Sequence, residues 1–169
     1  MSHLLIRITK RPDGGTVLRC QRADGSATWQ RQDGRQGAFF PLHDLTHYAV
    51  ESTLRFRDGF YGLLAAGWDV GETEGKSPRG PLPAEALAVE YLVGMLDAEG
   101  ASGSEWAATD VNREAARYAG RGGRPAPRAL TDEELGRVRT RMRDLFHRWA
   151  MLAPGESLEL AFDRPPPAE

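Results

Sequence analysis

Three short runs of apolar and β-branched residues, each followed by a turn signal, constrain how the first 34 residues can fold. The runs cover residues 4–8, 16–22 and 27–32. Asp-Gly pairs follow them, at positions 13–14, 24–25 and 33–34. An Asp-Gly pair between two such runs is typical of a tight hairpin, in which neighbouring strands pair antiparallel. The pattern therefore predicts a three-stranded antiparallel meander.

The rest of the chain alternates helical patterns with breakers. Helices are predicted from Pro41, over residues 60–66, from Pro83 to about Asp97, from a Ser104 cap to Ala119, and from the Thr131 capping box onward. Residues 156–162 alternate strictly and predict a last strand that rejoins the N-terminal sheet. We expect an α+β fold, with an antiparallel sheet of three or four strands packed on one face by about four helices. One domain is predicted over residues 1–164, with a flexible C-terminal tail at 165–169.

Composition restricts the classes of function. A chain of 169 residues with 40% hydrophobic residues can bury a full core without metals or disulfides. A net charge of −2 gives no overall attraction to nucleic acid or to an anionic membrane. The single cysteine, Cys20, suits a reducing compartment, and no run approaches the roughly 20 apolar residues of a membrane span. We expect a cytoplasmic protein.

The helix predicted to begin at Pro41 carries two histidines, His43 and His47, at a spacing of one helical turn. Leu42, Leu45 and Ala49 fall on its apolar side, and the histidines follow the border between that side and the polar one. A stripe at such a border can form the wall of a cleft while the apolar side packs in the core. Two imidazoles at this spacing can bind one metal ion.

The segment His43-Asp44-Leu45-Thr46-His47 resembles the His-Glu-x-x-His helix of zincin metallopeptidases, with Asp44 in place of the glutamate. The resemblance covers this one helix. It implies that His43 and His47 bind a divalent transition metal, zinc in that family, and that Asp44 is the general base. Aspartate is one methylene shorter than the family's glutamate. This difference weakens the peptidase interpretation, which needs the carboxylate to reach a metal-bound water, more than the metal-binding one.

The third metal ligand is left open by the sequence. Glu51 extends the histidine stripe and is a candidate, although eight residues of helix span about 12 Å. It could instead orient His47 or pair with Arg55. In zincins with a glutamate ligand, that residue comes from a later helix, and here Glu90 is the matching candidate. Other carboxylates in reach along the chain are Glu85, Asp69, Glu72 and Glu74.

Several functions fit these observations. The first is a metal-binding protein. If it is an enzyme, we expect a metal-dependent hydrolase of a small-molecule or peptide substrate. The second is a non-catalytic interaction or regulatory domain with structural histidines. The third is a weak nucleic-acid binder that uses the arginine-rich half, because residues 113–148 contain ten arginines and five acidic residues.

The Gly- and Pro-rich segment 70–81 is either a lid over the histidines or a connector.

Overall fold

The computed structural model describes residues 3–75 and 77–167 and has the expected α+β architecture. Four antiparallel strands form one sheet in the order β3-β2-β1-β4. The bounds of the strands are β1 His3–Lys10, β2 Thr16–Arg22, β3 Ala27–Gln32 and β4 Ser157–Asp163. The three N-terminal strands form the meander that the Asp-Gly turns predict. The last strand pairs with β1, as its alternating pattern indicates.

The helices pack on one face of this sheet. Four are long and one is short: α1 Arg35–Leu54, α2 Phe60–Ala65, α3 Ala84–Ser102, α4 Ala108–Arg121 and α5 Asp132–Met151. A 3₁₀ turn, Val70–Glu74, precedes α3. The long helix α1 packs against both α3 and α5, so its side chains are placed by two neighbouring helices.

Alternation along the strands separates a packed face from a solvent face. Leu4, Ile6 and Ile8 of β1 are fully buried, and so are Leu18 and Cys20 of β2. Burial raises the pKa of the Cys20 thiol well above its usual value, which keeps this cysteine protonated and unreactive. The sheet therefore has one buried face and one wet face, as antiparallel sheets commonly do.

The helix that carries both histidines begins at Arg35 rather than at the predicted Pro41. Pro41 lies inside α1, where its missing N–H leaves the carbonyl of Gly37 without its helical donor. Gly37 packs closely against the backbone of Gly14 and Gly15, so tertiary contacts hold the first turns of the helix despite the lost bond. A local rule for proline could not detect these contacts. His43 and His47 still lie one turn apart.

The start of α4 also differs from the prediction. The helix begins at Ala108 with Ala107 as its N-cap, not at Ser104. The carboxylate of Asp132, at the start of α5, accepts a hydrogen bond from the Ala108 backbone N–H at 2.8 Å. A partner 24 residues away in the chain therefore satisfies this helix end, and no local sequence pattern indicates it.

In residues 3–75 and 77–167, no helix combines the length and the apolar composition required to cross a membrane. Residues 165–167 of the predicted tail belong to the described part of the chain. The carbonyl of Pro165 accepts a hydrogen bond from the Arg57 guanidinium. Its last two residues, 168–169, lie outside the described part of the chain.

Candidate metal centre

One donor atom from each of three residues converges beside α1. The ligand atoms of His43, His47 and Glu90 all lie within 4.8 Å of one another, and this group could hold a metal ion. A four-coordinate ion with bonds of about 2.0–2.1 Å needs its donors about 3.3 Å apart. The observed spacing is wider by up to about 1.5 Å, which side-chain rotations can close. The two histidines come from α1, and Glu90 comes from α3.

Both imidazoles are oriented by carboxylates through their Nδ1 atoms. Nδ1 of His43 lies 2.7 Å from Oδ2 of Asp97, and Nδ1 of His47 lies 3.3 Å from Oε1 of Glu51. A carboxylate on Nδ1 fixes the tautomer and leaves Nε2 as the nitrogen available to a metal. Histidines that bind metals commonly have such a hydrogen-bond partner on the ring nitrogen that does not contact the metal, and both histidines here have one.

Glu51 is completely buried, and the backbone around it is arranged to receive its carboxylate. The backbone N–H groups of Tyr61 and Gly62 donate to it at 3.3 Å and 3.1 Å. A side chain at Gly59 would collide with this carboxylate, which explains a glycine at that position. Glu51 therefore contacts His47 from the Nδ1 side and lies beside the three-donor group, not inside it.

Charges at the centre are strongly coupled. Burial opposes a charge on His47, but its hydrogen bonds to Glu51 and Glu90 raise its pKa from 6.5 to about 10. Burial raises the pKa of Glu51. Burial also acts on Glu90, yet its hydrogen bond to His47 lowers its pKa overall. Nε2 of His47 lies 3.4 Å from Oε1 of Glu90, and its Nδ1 lies 3.3 Å from Oε1 of Glu51, so both carboxyl groups favour a proton on this imidazole.

The three donors open into a cavity of about 300 Å³. Phe40, Phe60 and Val70 supply apolar walls, and Thr73 and Glu74 border it from the 3₁₀ turn. The first part of the 70–81 segment therefore lines the same cavity as the histidines. The lid interpretation of that segment stays a prediction. A volume of this size lies at the lower end of ligand-binding pockets.

Asp44 also lines this cavity, although only 4% of it is exposed. Its carboxylate accepts a hydrogen bond from the Gln32 side-chain amide at 3.1 Å, and the Thr16 hydroxyl donates to the Gln32 carbonyl oxygen. Burial raises the pKa of Asp44 from 3.8 to about 6. Asp44 therefore places a partly desolvated carboxyl group in the same cavity as the three convergent donors.

Replacing Asp44 with asparagine is expected to stabilise the metal-free protein at neutral pH. Because the pKa of Asp44 is higher in the folded state than its ordinary 3.8, the folded chain binds more protons between pH 3.8 and about 6. Stability therefore falls as the pH rises through this window. A shift of about two units corresponds to about 3 kcal/mol, and we expect Asp44→Asn to raise the free energy of unfolding by about 1–3 kcal/mol at pH 7.

Urea unfolding of EDTA-treated protein at pH 7 and pH 4 measures this effect. The gain should largely disappear at pH 4, where the native carboxyl is protonated. Asp24→Asn is the matched control, because Asp24 lies exposed in a turn and its hydrogen bonds to Ser26 lower its pKa. A loss of stability in Asp44→Asn at pH 7, or the same gain at both pH values, would contradict the raised pKa of Asp44.

The other carboxylates considered as third ligands have different partners. Glu85 accepts hydrogen bonds from the backbone N–H groups of Arg57 and Asp58. Glu72 pairs with Arg79, and Asp69 lies 3.3 Å from the Arg22 guanidinium. Glu74 borders the cavity but is not one of the three convergent donors.

Sequence reasoning missed the carboxylate that orients His43. Asp97 lies seven residues after Glu90, two helical turns along α3, so both face α1. The Thr46 hydroxyl lies 3.1 Å from Oδ1 of Asp97 and helps to hold it. The seven-residue spacing of two acids on an apolar helix was a signal that could have indicated the pair.

The arginine-rich half has most of its charge paired with acids. Arg139 forms a two-atom ion pair with Glu99, which is 7% exposed. Further ion pairs on α4 and α5 join Arg113 to Asp110, Arg128 to Glu134, Arg137 to Glu133 and Arg148 to Asp144. These pairs reduce the positive charge that a phosphate backbone could use.

Comparison of the chain with known protein families, with curated proteins and with solved structures finds no match.

Proposed function

We propose that this protein binds a divalent transition metal, zinc by preference, through His43, His47 and Glu90. The observation that carries the proposal is the convergence of the three donors with both imidazoles already oriented by carboxylates. Two imidazoles and one carboxylate are a ligand set that suits zinc and leaves a fourth position for water or substrate. The resemblance to the zincin helix supports the same metal.

We further propose a hydrolytic reaction on a small-molecule or peptide substrate. The bound ion would lower the pKa of a water molecule toward about 7. Asp44 would accept the proton of that water, since its carboxylate lines the same cavity as the three donors. Phe40 and Phe60 would contact the apolar part of the substrate and limit the access of bulk water.

The activity test compares zinc-loaded wild type with Asp44→Asn on nitrophenyl esters, peptide nitroanilides and aryl phosphates. We expect zinc-dependent turnover of one of these classes. Asp44→Asn should retain zinc and lose activity by about 10²–10⁴-fold, the usual contribution of a general base. Equal turnover by Asp44→Asn, or by wild type stripped of zinc, would contradict the hydrolytic mechanism.

A structural role for the histidines is the second candidate, and one observation favours it. His47 is already satisfied by Glu51 and Glu90, and within the described residues no buried side-chain nitrogen or oxygen lacks a hydrogen-bond partner. In this case the protein would be a non-catalytic interaction domain. Thermal unfolding with added zinc separates the candidates, because an ion that binds the native state raises the melting temperature and a purely structural ion pair gives no such rise.

A further inference from the structure

A second cavity of about 300 Å³ shares no lining residue with the cavity at the predicted metal ligands. It is formed where the end of α1 meets α3, α4 and the linker before α5. Its walls are small or aromatic: Ala88 and Ala115 leave the space open, and Leu54, Phe56, Tyr91 and Tyr118 surround it. The rings of Tyr91 and Tyr118 stack on each other with a centroid distance of 4.2 Å, so an aromatic pair forms part of one wall.

The same cavity has an excess of positive charge. Arg55, Arg124 and Arg128 line it, together with one acid, Glu85. The Glu85 carboxylate is already bound by two backbone N–H groups, and Arg128 pairs with Glu134. Among the described residues, no carboxylate lies within 4 Å of the guanidinium of Arg55 or of Arg124. The guanidinium of Arg124 lies 5.3 Å from the Tyr118 ring centroid, so it is held beside the aromatic wall.

Arg55 has an unusual backbone conformation. Within the described residues it is the one residue other than glycine with a positive φ, at φ 57° and ψ 39°. Glycine occupies the equivalent left-handed position at the end of α3, where Gly103 has φ 72°. A residue with a Cβ is strained in this region, and such strain concentrates at functional sites. The arginine side chain is the feature that a glycine at this helix end would lack.

We propose that this cavity binds a small aromatic carboxylate. The apolar and tyrosine walls would receive the ring, and the guanidinium groups of Arg55 and Arg124 would bind the carboxylate. Arginine is suited to this task because its planar group donates two parallel hydrogen bonds to a carboxylate. This site is independent of the proposed metal centre, and its test does not depend on a bound metal.

The test is a calorimetric titration of the EDTA-treated 169-residue chain with 2-naphthoate. Removal of metal prevents the probe from binding at the histidine site. We expect one site per chain with a sub-millimolar dissociation constant. Arg124→Ala and Arg55→Gly should each weaken binding at least tenfold. Arg121→Ala is the matched control, because Arg121 lies exposed at the end of α4 and does not line the cavity.

Arg55→Gly also separates binding from folding. Glycine relieves the left-handed strain at this position, so the melting temperature of Arg55→Gly should equal or exceed that of the wild type while naphthoate binding is weakened at least tenfold. No binding of 2-naphthoate by the wild type would overturn the proposal. Equal loss in Arg121→Ala, or undiminished binding in Arg55→Gly and Arg124→Ala, would also overturn it.

Two further probes test the chemical class. Neutral 2-naphthamide has the same ring without the charge and should bind at least tenfold more weakly than 2-naphthoate. Octanoate has the charge without the ring and should also bind more weakly. Equal or tighter binding of either probe would overturn the assignment of an aromatic carboxylate.

Discussion

The variant His43→Ala/His47→Ala is expected to bind zinc at least about 1,000-fold more weakly than the wild type. It removes two of three protein ligands, and in structural zinc sites each ligand contributes a few kcal/mol of the total binding free energy. A factor of 1,000 corresponds to about 4 kcal/mol. Competition with a chromophoric zinc chelator, on protein purified without a histidine tag, measures both affinities.

The chain supplies its own matched control for this experiment. It has four histidines, and the other two, His3 and His147, are exposed and do not belong to the three-donor group. The variant His3→Ala/His147→Ala should therefore retain wild-type zinc affinity. Equal losses in the two double variants would show that zinc binds nonspecifically to imidazoles and not at the proposed centre.

Glu51→Ala is expected to lower the free energy of unfolding of the metal-free protein by about 3–5 kcal/mol. The substitution removes one partner of a buried ion pair, and the partner that stays behind is left partly uncompensated. It also leaves the backbone N–H groups of Tyr61 and Gly62 without their acceptor in a buried position. A loss of this size is a large fraction of the stability of an ordinary domain, and urea unfolding would detect it.

Glu90→Ala is the control, because it removes the other carboxylate that contacts His47. The Glu90 side chain is 44% exposed, so its loss should lower the free energy of unfolding by only about 1 kcal/mol or less. The same variant should lose most of its zinc affinity. The account would be contradicted by a larger loss of stability in Glu90→Ala than in Glu51→Ala.

Local patterns in the sequence were sufficient to predict the architecture. The Asp-Gly turns placed the meander, and the capping box at Thr131 and Glu134 marked the start of α5, where both reciprocal hydrogen bonds are present. Boundaries set by distant partners were predicted wrongly. Pro41 lies inside α1 because Gly37 packs on the turn between β1 and β2, at Gly14 and Gly15. The helix α4 begins at Ala108 because Asp132 accepts a hydrogen bond from the Ala108 N–H.

The candidate centre was predictable only in part for the same reason. Helical spacing placed His43 and His47 on one face, since both belong to a single helix. The choice of Glu90 over Glu85 depends on how α3 is rotated against α1, and Asp97 meets His43 through the same packing. Gln32, which orients Asp44, belongs to β3. These contacts join different elements, and the periodicity of one element carries no information about them.

The most direct test of the central claim is zinc K-edge X-ray absorption spectroscopy of the zinc-loaded wild type after dialysis. The account predicts one retained zinc ion per chain, with two imidazole ligands and carboxylate oxygen at about 2.0–2.2 Å. The dialysed Glu90→Gln variant should retain much less zinc than the wild type, because it lacks the carboxylate ligand. No zinc retained by the wild type, or a spectrum with fewer than two imidazoles, would contradict a metal centre at His43, His47 and Glu90.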